Sequence, residues 1–322
     1  MNLNKTAFLI FFSCAFVILL YYLITSCISI HQKNKFYKLY NDNYTQHVQN
    51  NYKTRDDFRN IFLFWNDEIL PPLINECVKK MKLKMPDWNL ILLNEKTICK
   101  LINESEIPLN MKSLSMQAQS DWYRLYLLYN YGGLWLDISI LLNDPDEINK
   151  MYKKVVNENI DISCFAFKNH CFYLKGKKYS CIESWCLFTK SKNNIIKLWL
   201  DEFEYAIQIG FYQYAYYIYK NNFVLTNTDI SYGTYHTIYK CFMVIVQKNN
   251  IDFNKIYIRN AEKTMCKYHM KWYWLSPFII NKLLRCKQNS NIKLIRTDRQ
   301  HLDNNIDLQK KFLNMYFDID FN

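Results

Sequence analysis

Residues 117–143 read QAQSDWYRLYLLYNYGGLWLDISILLN, and the fold class follows from the punctuation of this stretch. Leu125, Leu128 and several aromatics fill one side of a run that the spacing predicts as a helix over 115–131. Gln117, Asp121 and Arg124, four and three apart, share one face of that helix. Gly132-Gly133, two of only five glycines in the chain, stop it, because glycine admits the left-handed backbone needed to turn tightly into a strand. Leu134-Trp135-Leu136 is that strand, and Asp137 stands at its carboxyl end, the rim at which open α/β sheets bind ligands. A rim carboxylate beside a helix carrying an acid and an arginine suits a divalent cation, a diphosphate and a ribose. Plainer readings stay open for each part: an intrahelical ion pair worth a few tenths of a kcal/mol, a simple helix stop, a turn cap.

Outward from this segment, strands and helices alternate. Ile61-Phe62-Leu63-Phe64-Trp65 is a continuous apolar run of the kind a buried parallel strand shows. Pro71-Pro72 opens a helix to about Lys84, with Leu73, Cys77 and Met81 on one face. Pro86-Asp87 breaks it, and Trp88 to Leu93 is a second strand. Thr97 to Ile102 is a brief helix, Ile162–Phe167 and Ile182–Phe188 are further strands, and Asn194–Gln208 and Asp229–Gln247 are helical. Residues 58–322 are therefore expected to form one α/β domain, a mostly parallel central sheet flanked by helices, without internal repeats.

The N-terminus differs in kind. Ala7 through Ile30 carries no charge over 24 residues, long enough to cross a hydrocarbon core of about 30 Å. Residues 1–6 form a short tail, 7–30 an uncleaved transmembrane signal anchor, and 31–57, polar and rich in Asn, Lys and Tyr, a stalk. A cleaved signal usually has a shorter apolar stretch, although Ile24-Thr25-Ser26-Cys27 has the look of a lipoprotein cleavage box. Lys5 on one side against Lys33, Lys35 and Lys38 on the other gives no firm orientation.

Half of the residues are hydrophobic and 17% aromatic, which excludes a disordered chain. The net charge of +12 favours anionic partners, but the basic residues are scattered. With no zinc-finger spacing and no basic-region heptads, no nucleic-acid partner is expected. The eleven cysteines contain no CxxC pair. Cys164, Cys171, Cys181 and Cys186 either pair in an oxidising lumen or serve as small buried hydrophobes.

Ser120-Asp121-x-x-Arg124, a run of Leu and Tyr, Tyr131-Gly132-Gly133, three hydrophobic residues and Asp137 together resemble the donor-site segment of GT-A glycosyltransferases. The nearest resemblance is to the capsular-polysaccharide-synthesis proteins and the mannosyltransferase-like transferases whose segment carries a DxD motif. Phe62-Leu63-Phe64-Trp65 with Pro71-Pro72, Pro86-Asp87-Trp88 and Ile182-Glu183-Ser184-Trp185 extend it over most of residues 58–250. The resemblance implies a GT-A-like (Rossmann-like) fold and a membrane-anchored, hexosyltransferase-type enzyme. Such an enzyme moves a sugar from a nucleotide-sugar donor to a glycan, glycoconjugate or polysaccharide acceptor. It further implies a single-pass type II topology, in the Golgi or ER if the source is eukaryotic. A catalytically degenerate fold acting as a carbohydrate-binding or scaffolding protein is the alternative.

Carried onto this chain, the resemblance assigns Gln117, Asp121, Arg124, Gly132 and Gly133 to donor binding, and Asp137 with Ser139 to a divalent cation, Mn²⁺ or Mg²⁺. Ser139 departs from the second Asp of DxD, so tight metal binding is in question, with Asp144 a further carboxylate downstream. Asp137 also counts as catalytic, since a cation held there would stabilise the departing diphosphate. For the base that activates the acceptor hydroxyl, Glu183 comes first. Asp229 and His236, seven apart on an expected helix and so on one face, are the others.

Overall fold

The computed structural model describes residues 3–44, 51–226, 233–271, 275–286, 294–297 and 302–321. Six strands make the central sheet: β1 (Asn60–Phe64), β2 (Asn89–Leu93), β3 (Gly133–Leu136), β5 (Ile162–Leu174), β6 (Lys177–Thr189) and β7 (Ile256–Asn260). Their spatial order is β2-β1-β3-β6-β5-β7. β1 pairs parallel with β2 and β3, and β5 parallel with β7, while β6 alone runs antiparallel to both its neighbours. A short strand β4 (Ile140–Leu142) leaves this sheet and pairs antiparallel with β8 (Leu294–Arg296). The expectation of a mixed α/β architecture with a mostly parallel sheet is met.

Alternation along the strands feeds two layers of core. Phe62, Phe64, Ile91, Leu93 and Leu187 face α3 (Met116–Tyr131), α5 (Asn194–Ile209) and α7 (Thr237–Lys248), where Trp122, Trp199, Phe203 and Phe242 are fully buried. Ile61, Leu63, Leu134 and Phe188 face the opposite way, onto Val78 and Met81 of α2 (Pro72–Lys84) and Met151 and Val155 of α4 (Asp146–Asn157). Each such side chain removed from water contributes about 1.5–3 kcal/mol.

The turn from α3 into β3 is as tight as its glycines require. Ser115 caps the start of α3 by accepting from the Ala118 N–H at 3.3 Å, and Gly132 ends it at φ +64°. Gly133, at φ +112°, lies so close to β1 that a Cβ would sit 2.7 Å from the Asn60 carbonyl oxygen. No other residue lets β3 come that near.

Several expectations need correction. The first part of the expected stalk, residues 31–44, is helical: α1 runs unbroken from Leu3 to Tyr44, and its last turns dock on the domain. Phe36 and Tyr40 are buried with Leu73 and Cys77 of α2, Ile279, Ile280 and Leu283 of α9 (Ser276–Cys286), and Phe312, Leu313 and Tyr316 of α10 (Ile306–Phe317). The spacing of four between Phe36 and Tyr40, set among polar residues, is the apolar stripe that a search for longer periodicity passes over. The strands expected at 162–167 and 182–188 are the inner halves of one long hairpin, turned at Lys175-Gly176, both at positive φ. The segment 97–102 forms a 3-10 turn over Ile98–Lys100. The last expected helix starts at Thr237; Asp229 lies outside the described residues. Cys164, Cys181 and Cys186 are buried free thiols, and Cys171 is free and half-buried.

Candidate active site

A crevice of about 810 Å³ opens at the carboxyl end of β3, within the size range of small-ligand sites. Helix α3 contributes Gln117, Asp121 and Arg124; the loop after β3 contributes Asp137 and Ser139. His170 comes from β5, Glu183 and Ser184 from β6, His236 and Tyr239 from the start of α7, and Arg296 from β8. Seven sequence-predicted residues thus meet here: Gln117, Asp121, Arg124, Asp137, Ser139, Glu183 and His236. Gly132 and Gly133 do not line it. They stand at the other end of β3, against Phe58 and Asn60, where they shape the strand. Asp144 is likewise elsewhere; its carboxylate accepts from the Asp146 N–H at 2.8 Å.

Arg124 is the hub. Its Nη1 lies 3.1 Å from Asp121 Oδ1 and its Nη2 3.2 Å from Asp137 Oδ1. It also donates to the Ser184 hydroxyl, and it stacks 5.1 Å from the Trp135 ring centroid. Trp135 Nε1 donates to the same Asp137 oxygen at 3.1 Å. Helix α3 and strand β3 are thereby locked together through charge-assisted hydrogen bonds. Asp137 remains 31% exposed, against 13% for Asp121. Burial pushes the Asp121 carboxyl up to about 7; Arg124 pulls it down and Asp137 adds to the rise.

Glu183 is buried within β6, and both of its oxygens are engaged. Oε2 accepts from Trp185 Nε1 at 2.9 Å and from the Tyr239 hydroxyl at 3.1 Å, while Oε1 faces His170 Nδ1 at 3.4 Å. Burial, and then the Glu183 charge, push the Tyr239 phenol well above its usual range, so it stays a donor. A carboxylate bound this way orients a histidine, and His170 is the more exposed partner of the pair. Sequence reasoning missed His170, Tyr239 and Arg296. Nothing in the sequence joins β5, α7 and β8 to the Asp137 segment; only the strand order does.

The donor set fits a divalent ion poorly. Mg²⁺ and Mn²⁺ favour several oxygen ligands with carboxylates among them. Among the described residues, no group of three or more His, Cys, Asp and Glu side chains is placed to hold a metal. Asp137 is the carboxylate beside Ser139, and one of its oxygens already serves Arg124 and Trp135.

The model of a family described as capsular polysaccharide synthesis protein matches residues 23–277. No curated protein matches the chain. One solved structure similar to it is a glycosyltransferase involved in the glycosylation of the major capsid of PBCV-1, at 10% identity and a TM-score of 0.37, covering 77% of this chain and 98% of that one. Another is the PaToxG glycosyltransferase, at 12% identity and a TM-score of 0.30, covering 89% and 95%. At these scores the likeness is too slight to fix a fold or an activity.

Proposed function

The chain belongs to the capsular polysaccharide synthesis protein family, and on that premise we propose that it is a membrane-anchored glycosyltransferase. It moves a sugar from a nucleotide-sugar donor to a glycan, glycoconjugate or polysaccharide acceptor. The observation that carries this reading is the convergence of Asp121, Arg124 and Asp137 on one crevice at the strand rim. An acid pair bridged by a guanidinium offers both acceptors for sugar or ribose hydroxyls and a donor for phosphate.

In the reaction, the acceptor oxygen bonds to the anomeric carbon as the bond from that carbon to the diphosphate breaks. Asp121 and Asp137 hold donor hydroxyls, and Arg124 fixes both carboxylates. His170, oriented by Glu183, takes the place the sequence assigned to Glu183 as the group receiving the acceptor's proton, because the glutamate's own oxygens are occupied. Residues 7–30 of α1 supply the anchor, in a type II orientation. Within the described residues the candidate span runs from Ala15 to Tyr44, with a mean hydropathy of 1.6 over its most apolar window.

The test is a screen of nucleotide-sugars against the full-length protein in detergent, read as released nucleoside diphosphate, with Asp137→Ala as the control. Release by the natural sequence and none by the variant supports the reading. No release from any donor, with sugar acceptors present, removes it.

A further inference from the structure

Among the described residues, the crevice contains a cation that makes no ion pair with the surrounding acids. Arg124 is held by Asp121 and Asp137. Arg296 is different. It ends β8, whose pairing with β4 sets it opposite Ile140, and the next residue grips the Asp137 loop. Thr297 donates to the Ser139 carbonyl from its backbone N–H at 3.3 Å and from its hydroxyl at 2.6 Å. The Arg296 side chain lines the crevice beside Asp137 and Ser139. Among the described residues no carboxylate comes within ion-pair distance of it. Burial works against that charge, while the Asp137 and Glu183 carboxylates of the same crevice favour it from beyond ion-pair distance.

Resting on the reading of this crevice as a nucleotide-sugar site, we infer that Arg296 supplies to the donor's diphosphate the positive charge that a divalent ion would otherwise supply. When the bond between the anomeric carbon and the diphosphate oxygen breaks, its electron pair stays on that oxygen. A guanidinium is charged at any working pH and matches phosphate oxygens two at a time. Held in place before the reaction, it stabilises the charge as it develops. Ser139 fits the same arrangement: it adds no charge that would draw a metal, and it offers Arg296 no ion pair.

The experiment measures binding of inorganic pyrophosphate and of nucleoside diphosphates to the full-length protein in detergent, as shifts in melting temperature. One arm contains excess EDTA and the other Mn²⁺. The inference expects binding in EDTA within about threefold of that in Mn²⁺, and a loss of at least about tenfold in EDTA for Arg296→Gln. Arg296→Lys, keeping the charge but not the fork, should lose less. Binding seen only with Mn²⁺ overturns the inference while leaving the glycosyltransferase reading intact, and this holds even if the variants do not fold. Binding in neither arm removes both.

Discussion

Replacing Asp121 by Asn should change how stability depends on pH. In the folded chain burial raises the Asp121 carboxyl from 3.8 to about 7, so between those values the unfolded chain has released a proton that the folded chain still holds. Stability therefore falls as pH rises through this window, by up to about 1.4 kcal/mol per pH unit. Below the window both states are protonated and nothing is lost; above it the whole penalty is present, on the order of 4 kcal/mol. Asparagine fills nearly the same volume, leaves Arg124 its contacts with Asp137 and Ser184, and carries no proton to release. Urea unfolding of the full-length protein in detergent, followed by tryptophan fluorescence at pH 4.5 and pH 8, gives the comparison. The variant should gain several kcal/mol on the natural sequence between the two, since other titrating groups cancel in the difference. A gap that stays constant with pH would mean that Asp121 is an ordinary ionised partner of Arg124, and the desolvation argument would be wrong.

Other outcomes follow from the same geometry. Asp137→Ala should abolish donor cleavage while circular dichroism stays native, because this side chain is partly exposed; retained turnover would refute its role. His170→Ala should slow transfer by about 10²–10⁴-fold, and Glu183→Gln should slow it less; unchanged transfer in His170→Ala would remove it as proton acceptor. Gly133→Ala should cost several kcal/mol or prevent folding, since the new methyl meets the Asn60 carbonyl in a backbone region unfavourable to L residues; a normal melting temperature would contradict the close approach of β3 to β1. Tyr40→Phe removes the hydroxyl that bonds Glu76 and receives Asn75 Nδ2. It should cost about 1–3 kcal/mol and speed hydrogen exchange across residues 36–44, an increase whose absence would speak against the docking of α1.

Much of the fold was legible because its signals are local. Ser115, the Leu and Tyr positions of α3 and Gly132-Gly133 mark a helix, a stop and a strand within one short stretch, and Asp137 falls at the rim as expected. The β5–β6 hairpin was harder. Its outer halves carry exposed polar residues, so only the apolar inner halves stood out. Within the site, Asp121, Arg124 and Asp137 could be found because one helix and one strand carry them. His170 and Arg296 arrive from strands far along the chain, and their position depends on pairings that no spacing encodes. Glu183 lies in the crevice, but its surroundings there are set by three partners that sequence does not reveal.

The unbroken helix has a mechanical consequence. If residues 7–30 sit in a bilayer as proposed, the last four or so turns of α1 pass directly into the head of the protein, where Phe36 and Tyr40 clamp it. The head cannot swivel as it would on a loose tether, and its opening keeps a fixed compass bearing relative to the lipid surface. Inserting one residue between Ile30 and Phe36 would turn the whole head by about 100° and lift it by about 1.5 Å, whereas inserting seven would nearly restore the heading. An acceptor confined to the same surface would meet the first of these machines facing the wrong way.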